Sequence, residues 1–373
     1  MGLTAAERPN CLIVGAGLTG ATAAWVLARS GWDVTVVDAD KVAGGHCRSE
    51  WMHGVPYEPN GAHIFHTDDT EVWEIATAVT DFVPYEHRVL TSVGDRLMSW
   101  PIQLEELRGL DEWGVIQVEL EQRPTQPDST NFETWCVSTM GETLFDLFIR
   151  GYTEKQWGRP AAELSAEFAP KRVELRTDGV LGLFRDRFQG WPRHGYGTLV
   201  ESLLAESAIT FCSRVTAKDL DEFAPPSVPV ILTAPLDDFF DGAEGDLEWR
   251  GVRLVPTWMP LTKLAQPCSV VNEPDPAVPY TRSIETKHVF PELADQPGTV
   301  VCHEYPGARA KHYPVYDARG INREAQHRYL ERLLACDRMI VPAGRLARYA
   351  YINMDEAMRQ GLNAAREVQA SVR

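Results

Sequence analysis

The 373-residue sequence predicts an α/β protein: a discontinuous Rossmann-like dinucleotide-binding domain with an inserted helical domain and an antiparallel β-sheet domain. Three observations predict it. Residues 11–38, CLIVGAGLTGATAAWVLARSGWDVTVVD, read as strand, glycine turn, helix and strand, which is one βαβ unit. From Phe132 to Ile149 the apolar residues Phe132, Trp135, Met140, Leu144, Leu147 and Phe148 fall at helical spacing. Residues 250–316 carry short β-rich runs broken by Pro256, Pro260, Pro267, Pro279 and Pro314, a pattern of antiparallel strands and not of further βαβ units.

Taken in order, the first strand (Cys11–Val14) runs into Gly15, Gly17 and Gly20, each with its own task. Gly15 permits the tight turn, Gly17 lets the backbone approach a pyrophosphate, and Gly20 lets helix and strand pack closely. The helix that follows (Ala21–Ser30) presents free N–H groups and partial positive charge to the phosphates. Asp38, at the end of the second strand (Val34–Val37), is placed to accept the ribose hydroxyls. Next, Gly44 and Gly45 open a loop that resembles the second glycine motif of glutathione-reductase-like flavoproteins, which selects FAD over NAD. Thr67–Val79 reads as a helix with capping residues and early acids. Short β-like runs between Arg88 and Trp100 end at Pro101.

After the helical patterns of 103–160 come mixed short segments from 170 to 195. An amphipathic helix starts at Gly195, and strands at Ile209–Cys212 and Val228–Leu232 add to the dinucleotide-binding sheet. Arg323–Leu334 is helical, a strand in MIVPAGRL ends at Gly344 and Arg345, and Asp355–Val372 is a helix. A strand, glycine and helix at this point again put backbone N–H groups beside a cofactor. The expected division is therefore a FAD-binding domain at 1–85, 195–248 and 321–373, a sheet domain at 86–102, 161–194 and 249–320, and a helical domain at 103–160 that carries a mobile segment.

The totals exclude several classes. A net charge of −17 argues against nucleic acid or an anionic membrane as partner, so an anionic ligand requires a local basic pocket. Seven cysteines without a CxxC pair fit reduced, mostly buried thiols in a cytoplasm. No apolar run is long enough for a membrane span and no export signal is visible. No metal-ligand cluster, Ser-His-Asp arrangement or paired-carboxylate motif is found, so no metal is expected.

Six blocks lie in one order along the chain: GAHIFHT (61–67), GYTEKQWGR (151–159), VPYTR (278–282), EYP (304–306), YPV (313–315) and GRLARYAY (344–351). Together they resemble the UDP-galactopyranose mutase family over nearly the whole chain. The resemblance implies an isomerase that interconverts pyranose and furanose forms of a nucleoside-diphosphate sugar, UDP-galactose or a relative. Reduced FAD is the cofactor, its N5 bonding covalently to the anomeric carbon. Arg282, Arg345 and Arg172, with Lys171 the rival for the third place, are implied to steady the departing diphosphate. His63 is implied to lie beside the isoalloxazine, Tyr313 and Tyr351 on the diphosphate, and Trp157 on the mobile segment over the nucleotide. Tyr152 and Thr153 complete the substrate-binding set. The cofactor-binding set is Gly15, Gly17, Gly20, Asp38, Gly44, Gly45, His46, His63, Gly344, Arg345, Asn353 and Met354. A homodimer and an unidentified reductant are also implied.

The chain departs from the family at Ser99–Gln103, Val180–Phe184, His312 and Asn353, where base and sugar would be sensed. A mutase acting on a deoxy, amino or otherwise modified sugar, on another nucleotide, is thus part of the expectation. The alternatives are a FAD-dependent oxidase or dehydrogenase of the amine-oxidase-like class, and a protein that binds FAD or nucleotide without turnover.

Overall fold

The run Asn10–Val14 forms the middle of a five-stranded sheet because both of its faces are apolar and both are covered. Cys11 and Ile13 face one packed layer, and Leu12 and Val14 face the other. This is the two-sided burial that parallel sheets require. In the computed structural model, which describes residues 8–171 and 173–371, the strand order is Ala208–Thr210, Asp33–Val37, Asn10–Val14, Val230–Leu232 and Ile340–Pro342, with every pair parallel. Helices Leu18–Arg29, Tyr196–Leu204 and Met354–Ser371 share one layer with Ile13 and Val36. Phe239, Tyr329 and Leu333 fill the other.

A six-stranded sheet stands apart from the first, in the order Trp249–Met259, Thr299–Pro314, Arg282–Ile284, Val270–Asn272, Val89–Val93 and Arg96–Trp100. It is antiparallel as expected except at one pair: Val270–Asn272 runs parallel to Val89–Val93. A small sheet of Phe65–Thr67, Phe188–Pro192 and Phe82–Pro84 packs through Phe65, Val83 and Trp191 into the layer that holds Ile13 and Val36.

The helical region departs from its expected form. Phe132–Ile149 is not one helix. Asn131 caps Phe132–Met140 through a reciprocal box with Thr134, and the helix stops at Gly141, whose φ of +92° has no place in a helix. The chain resumes at Glu142–Leu144, passes through a π-helical turn at Phe145–Arg150, and continues as Gly151–Trp157. The apolar spacing survives the break, so Phe132, Leu144, Phe145, Phe148 and Trp157 share one core. Leu164, Phe168 and Val173, expected beside the sheet, pack into that same core. Among the described residues no helix is long and apolar enough to cross a membrane.

Candidate active site

The two glycine loops meet. Gly44 N donates to Ala16 O at 3.0 Å, and a Cβ on Gly45 would come within 3.3 Å of Gly17 Cα. Gly15 adopts φ +113°, and a Cβ on Gly20 would stand 2.0 Å from Gly15 O, so turn and helix pack as the motif predicts. A Cβ on Gly17 would meet nothing within 4 Å. The helix beginning at Leu18 has no side-chain cap and no acid in its first turn. An uncapped N-terminus beside open space suits a phosphate. Asp38 ends the second strand as expected, and its carboxylate already accepts from Ala16 N at 2.5 Å and Asp40 N at 2.7 Å. Four lone pairs leave it room for a ribose hydroxyl. Gly344 differs from expectation: its amide donates to Gln360 Oε1 at 2.7 Å and is not turned to a ligand.

Where the six-stranded sheet, the small sheet and the helical core converge, a cavity of about 390 Å³ opens. Its wall brings together ten of the expected residues: His63, Tyr152, Thr153, Trp157, Arg282, Tyr313, Arg345, Tyr351, Asn353 and Met354. The glycines, Asp38 and His46 are not part of this wall. Arg172, and the side chain of its rival Lys171, lie outside the described residues.

Arg282 is the best-prepared cation. Register places it opposite Glu304 across neighbouring strands, and Arg282 Nη2 donates to Glu304 Oε2 at 2.7 Å. The Glu304 side chain is fully buried and takes a second bond from Thr281 Oγ1 at 2.9 Å. One guanidinium edge is thereby fixed, and the buried Nε has no partner among the described residues. Arg345 is braced differently, through His312 O at 3.1 Å and Ile352 O at 2.6 Å, with its guanidinium over the Tyr313 ring at 5.3 Å. Tyr313 stacks on Tyr351 at 5.9 Å and meets the edge of Trp157 at 6.5 Å. Trp157, expected on a mobile cover, stands in the last turn of a helix, 6% exposed and packed on Phe168. The nearby Gln156, on the cavity wall, has a buried side-chain oxygen without a partner among the described residues.

Lys155 shows how GYTEKQWGR and VPYTR act together. Its ammonium donates to four carbonyls, Glu273 O, Asp275 O, Val278 O and Tyr280 O, at 2.6 to 3.0 Å. The loop leading to Arg282 is thus tied to the helix carrying Tyr152, Thr153 and Trp157. Arg250 closes the end of that helix through Gln156 O at 2.7 Å and Lys155 O at 3.1 Å.

Imidazoles gather on the glycine-loop side. His46 stacks on His312 at 4.4 Å, and His312 Nε2 is buried without a partner among the described residues. Burial, reinforced by the Arg345 charge and by His63, holds the His312 pKa down at about 4. Burial also drives His46 well below the ordinary histidine value, helped by His312 and Arg345. His87, on the cavity wall, is held at about 3 by burial and then by Arg282. Neutral rings therefore sit beside permanent cations. The segment 180–184, which departs from the family, is clamped by Arg176 through the carbonyls of Val180, Gly182 and Leu183. Leu183 and Phe184 reach the cavity, and Phe184 stacks on His66 at 3.5 Å.

Two residues with no role assigned from sequence emerge from this geometry: Glu304 and Lys155. Glu304 and Lys155 stood inside quoted blocks, but their partners lie far away in sequence and only strand pairing reveals them. Among the described residues, no group of three or more His, Cys, Asp or Glu side chains could hold a metal ion.

A family profile described as UDP-galactopyranose mutase matches residues 147–351, more than half of the chain, and one described as an NAD(P)-binding Rossmann-like domain matches residues 13–79. A probable UDP-galactopyranose mutase of Klebsiella pneumoniae is 29% identical over 98% of this chain and 96% of its own. A dTDP-fucopyranose mutase of Escherichia coli is also 29% identical, over 95% of this chain and 97% of its own. The fold matches the crystal structure of a reduced UDP-galactopyranose mutase with a TM-score of 0.78 and 18% identity, covering 98% of this chain and 96% of that one.

Proposed function

The chain belongs to the UDP-galactopyranose mutase family and is an isomerase, and from that premise we propose that it interconverts the pyranose and furanose forms of a pyrimidine nucleoside-diphosphate sugar with reduced FAD as cofactor. The observation that carries this reading is one cavity uniting Arg282, Arg345, Tyr313, Tyr351 and Trp157 beside an uncapped glycine-loop helix. Two buried donors without partners among the described residues, Arg282 Nε and His312 Nε2, fit a large polar cofactor and an anionic ligand. Reduced FAD supplies the nucleophile, N5, for the anomeric carbon.

Gly17 and the first turn after it would hold the cofactor pyrophosphate, and Asp38 the ribose. Gly44, Gly45, His46, His63, Arg345, Asn353 and Met354 would line the remainder. The protein's own chemistry is electrostatic. A departing nucleoside diphosphate gains negative charge, and Arg282, pinned by Glu304, presents its free Nε–H in a fixed orientation. Arg345 spends two of its five N–H donors on carbonyls and keeps its plane constant, so the remaining donors need no reorganisation. Tyr313 and Tyr351 add hydroxyls. The Gln156 oxygen suits the imide N–H common to uracil and thymine.

The two 29%-identical relatives differ in both base and sugar. The altered residues His312, Leu183 and Phe184 bear on that choice, so a dTDP-deoxysugar stands beside UDP-galactose as substrate. Incubating dithionite-reduced protein with UDP-galactopyranose and with dTDP-fucopyranose, then resolving products by chromatography, tests the reading. Furanose product from either supports it; none from either refutes it for both substrates.

A further inference from the structure

Glu58 is a buried acid that none of the preceding chemistry uses. Its side chain is 3% exposed, yet two N–H groups and a ring nitrogen converge on it. Trp191 Nε1 donates to Oε1 at 2.6 Å, while Oε2 accepts from the His63 main-chain amide and stands 3.2 Å from His63 Nδ1. Trp191 is fully buried, so its N–H depends on this acceptor. Tyr196 holds His63 from another side, edge-on at 5.9 Å, and its hydroxyl donates to His63 O at 3.3 Å. The indole and the main-chain amide can only donate, so both carboxyl oxygens act as acceptors. Burial raises the Glu58 carboxyl above its ordinary value, and the contacts from His63 and Trp191 pull it back.

The geometry points to Glu58 as a positioning residue that keeps the proton of His63 on Nδ1, so that Nε2, on a ring lining the cavity, is a hydrogen-bond acceptor. His63 Nε2 has no hydrogen-bond partner among the described residues. The group it takes is therefore an N–H or O–H donor and not a carbonyl. Resting on the proposed function, the consequence is a preference for reduced over oxidised FAD, because reduction adds a ring N–H at N5. The tautomer itself does not depend on that reading.

Protein labelled with 15N-histidine is examined at pH 8 by long-range 15N–1H correlation, with His63→Asn identifying the signal. His63 is expected to carry its proton on Nδ1. A proton on Nε2 overturns the inference: in the neutral ring a protonated Glu58 would then be donating to Nδ1, and in an imidazolium Nε2 could not accept. In Glu58→Leu combined with Trp191→Phe, which removes the carboxylate without stranding the indole N–H, the ring should shift to the Nε2–H form. An unchanged tautomer there also overturns it. If the double variant does not fold, the wild-type spectrum still decides. In FAD-loaded protein the same variant should lose at least tenfold in its preference for reduced FAD, a fall of about 30 mV in midpoint potential for a two-electron couple. An unchanged potential overturns the link to the reduced cofactor. Failure to bind FAD at all would instead sink the proposed function and leave the spectrum standing.

Discussion

Replacing Glu304 with leucine tests whether Arg282 is held as described. The substitution keeps an apolar volume near that of glutamate and removes a fully buried carboxylate bonded to Arg282 Nη2 at 2.7 Å. Removing one partner of a buried ion pair costs about 3–5 kcal/mol, because the other charge is stranded. The Arg282 side chain keeps 19% of its surface open, which places the loss near the lower end, about 3 kcal/mol. Unfolding entropy of about 2.1 cal/mol/K per residue makes roughly 0.8 kcal/mol/K for 373 residues, so melting should fall by about 4 °C. Glu304→Gln should cost less, since the Thr281 hydroxyl can turn to accept while the amide oxygen still faces Arg282. Binding to the stranded guanidinium should then partly replace the lost counter-charge. UDP is therefore expected to raise the melting temperature of Glu304→Leu more than that of the wild type, as read by differential scanning fluorimetry. A melting change below about 1 °C, or a UDP shift no larger than in the wild type, would refute the pairing and its role.

Gly17→Ala should leave the melting temperature of the apoprotein unchanged, because the new methyl meets nothing and φ is −76°, yet it should sharply lower FAD content after purification. Full FAD occupancy would remove Gly17 from the cofactor site. Lys155→Met strands four carbonyls and loosens the loop before Arg282, so kcat should fall and KM for the nucleotide sugar rise while FAD content holds; unaltered kinetics would break the proposed coupling. For His312 the folded pKa of about 4 lies below the ordinary 6.5. Between those values the unfolded chain binds a proton that the folded one excludes. Stability is then fully present above about pH 6.5 and lost as pH falls toward 4, by about 2 kcal/mol at pH 5. His312→Gln should flatten this loss in urea titrations at pH 7.5 and 5, apart from the parallel shares of His46 and His87, and an equal loss in both proteins would count against the assignment.

The dinucleotide end was legible because its requirements are local. Gly15, Gly17 and Gly20 each answer to contacts within a few residues or to the strand beside them, and spacing alone reveals them. The cavity was legible in part, since Arg282, Tyr313, Arg345 and Tyr351 stood in recognisable blocks. What spacing could not show was who holds these groups. Glu304 faces Arg282 only through strand register, and Lys155 reaches carbonyls more than a hundred residues away. The break at Gly141 was hidden because apolar periodicity continues across it, and only the glycine's backbone angle ends the helix. Likewise the parallel pair Val270–Val89 cannot be told from an antiparallel one by composition.

That parallel pair also bears on how the chain is made. Val89–Val93 leaves the ribosome about 180 residues before the strand that flanks it, and the glycine-turn sheet is completed only by Ile340–Pro342. The nascent N-terminal third waits with open strand edges until Ala208–Thr210, Val230–Leu232 and Val270–Asn272 have been made. The cavity wall is therefore incomplete until Glu356 has been made, and a chaperone that shields edges during translation would act on the early strands.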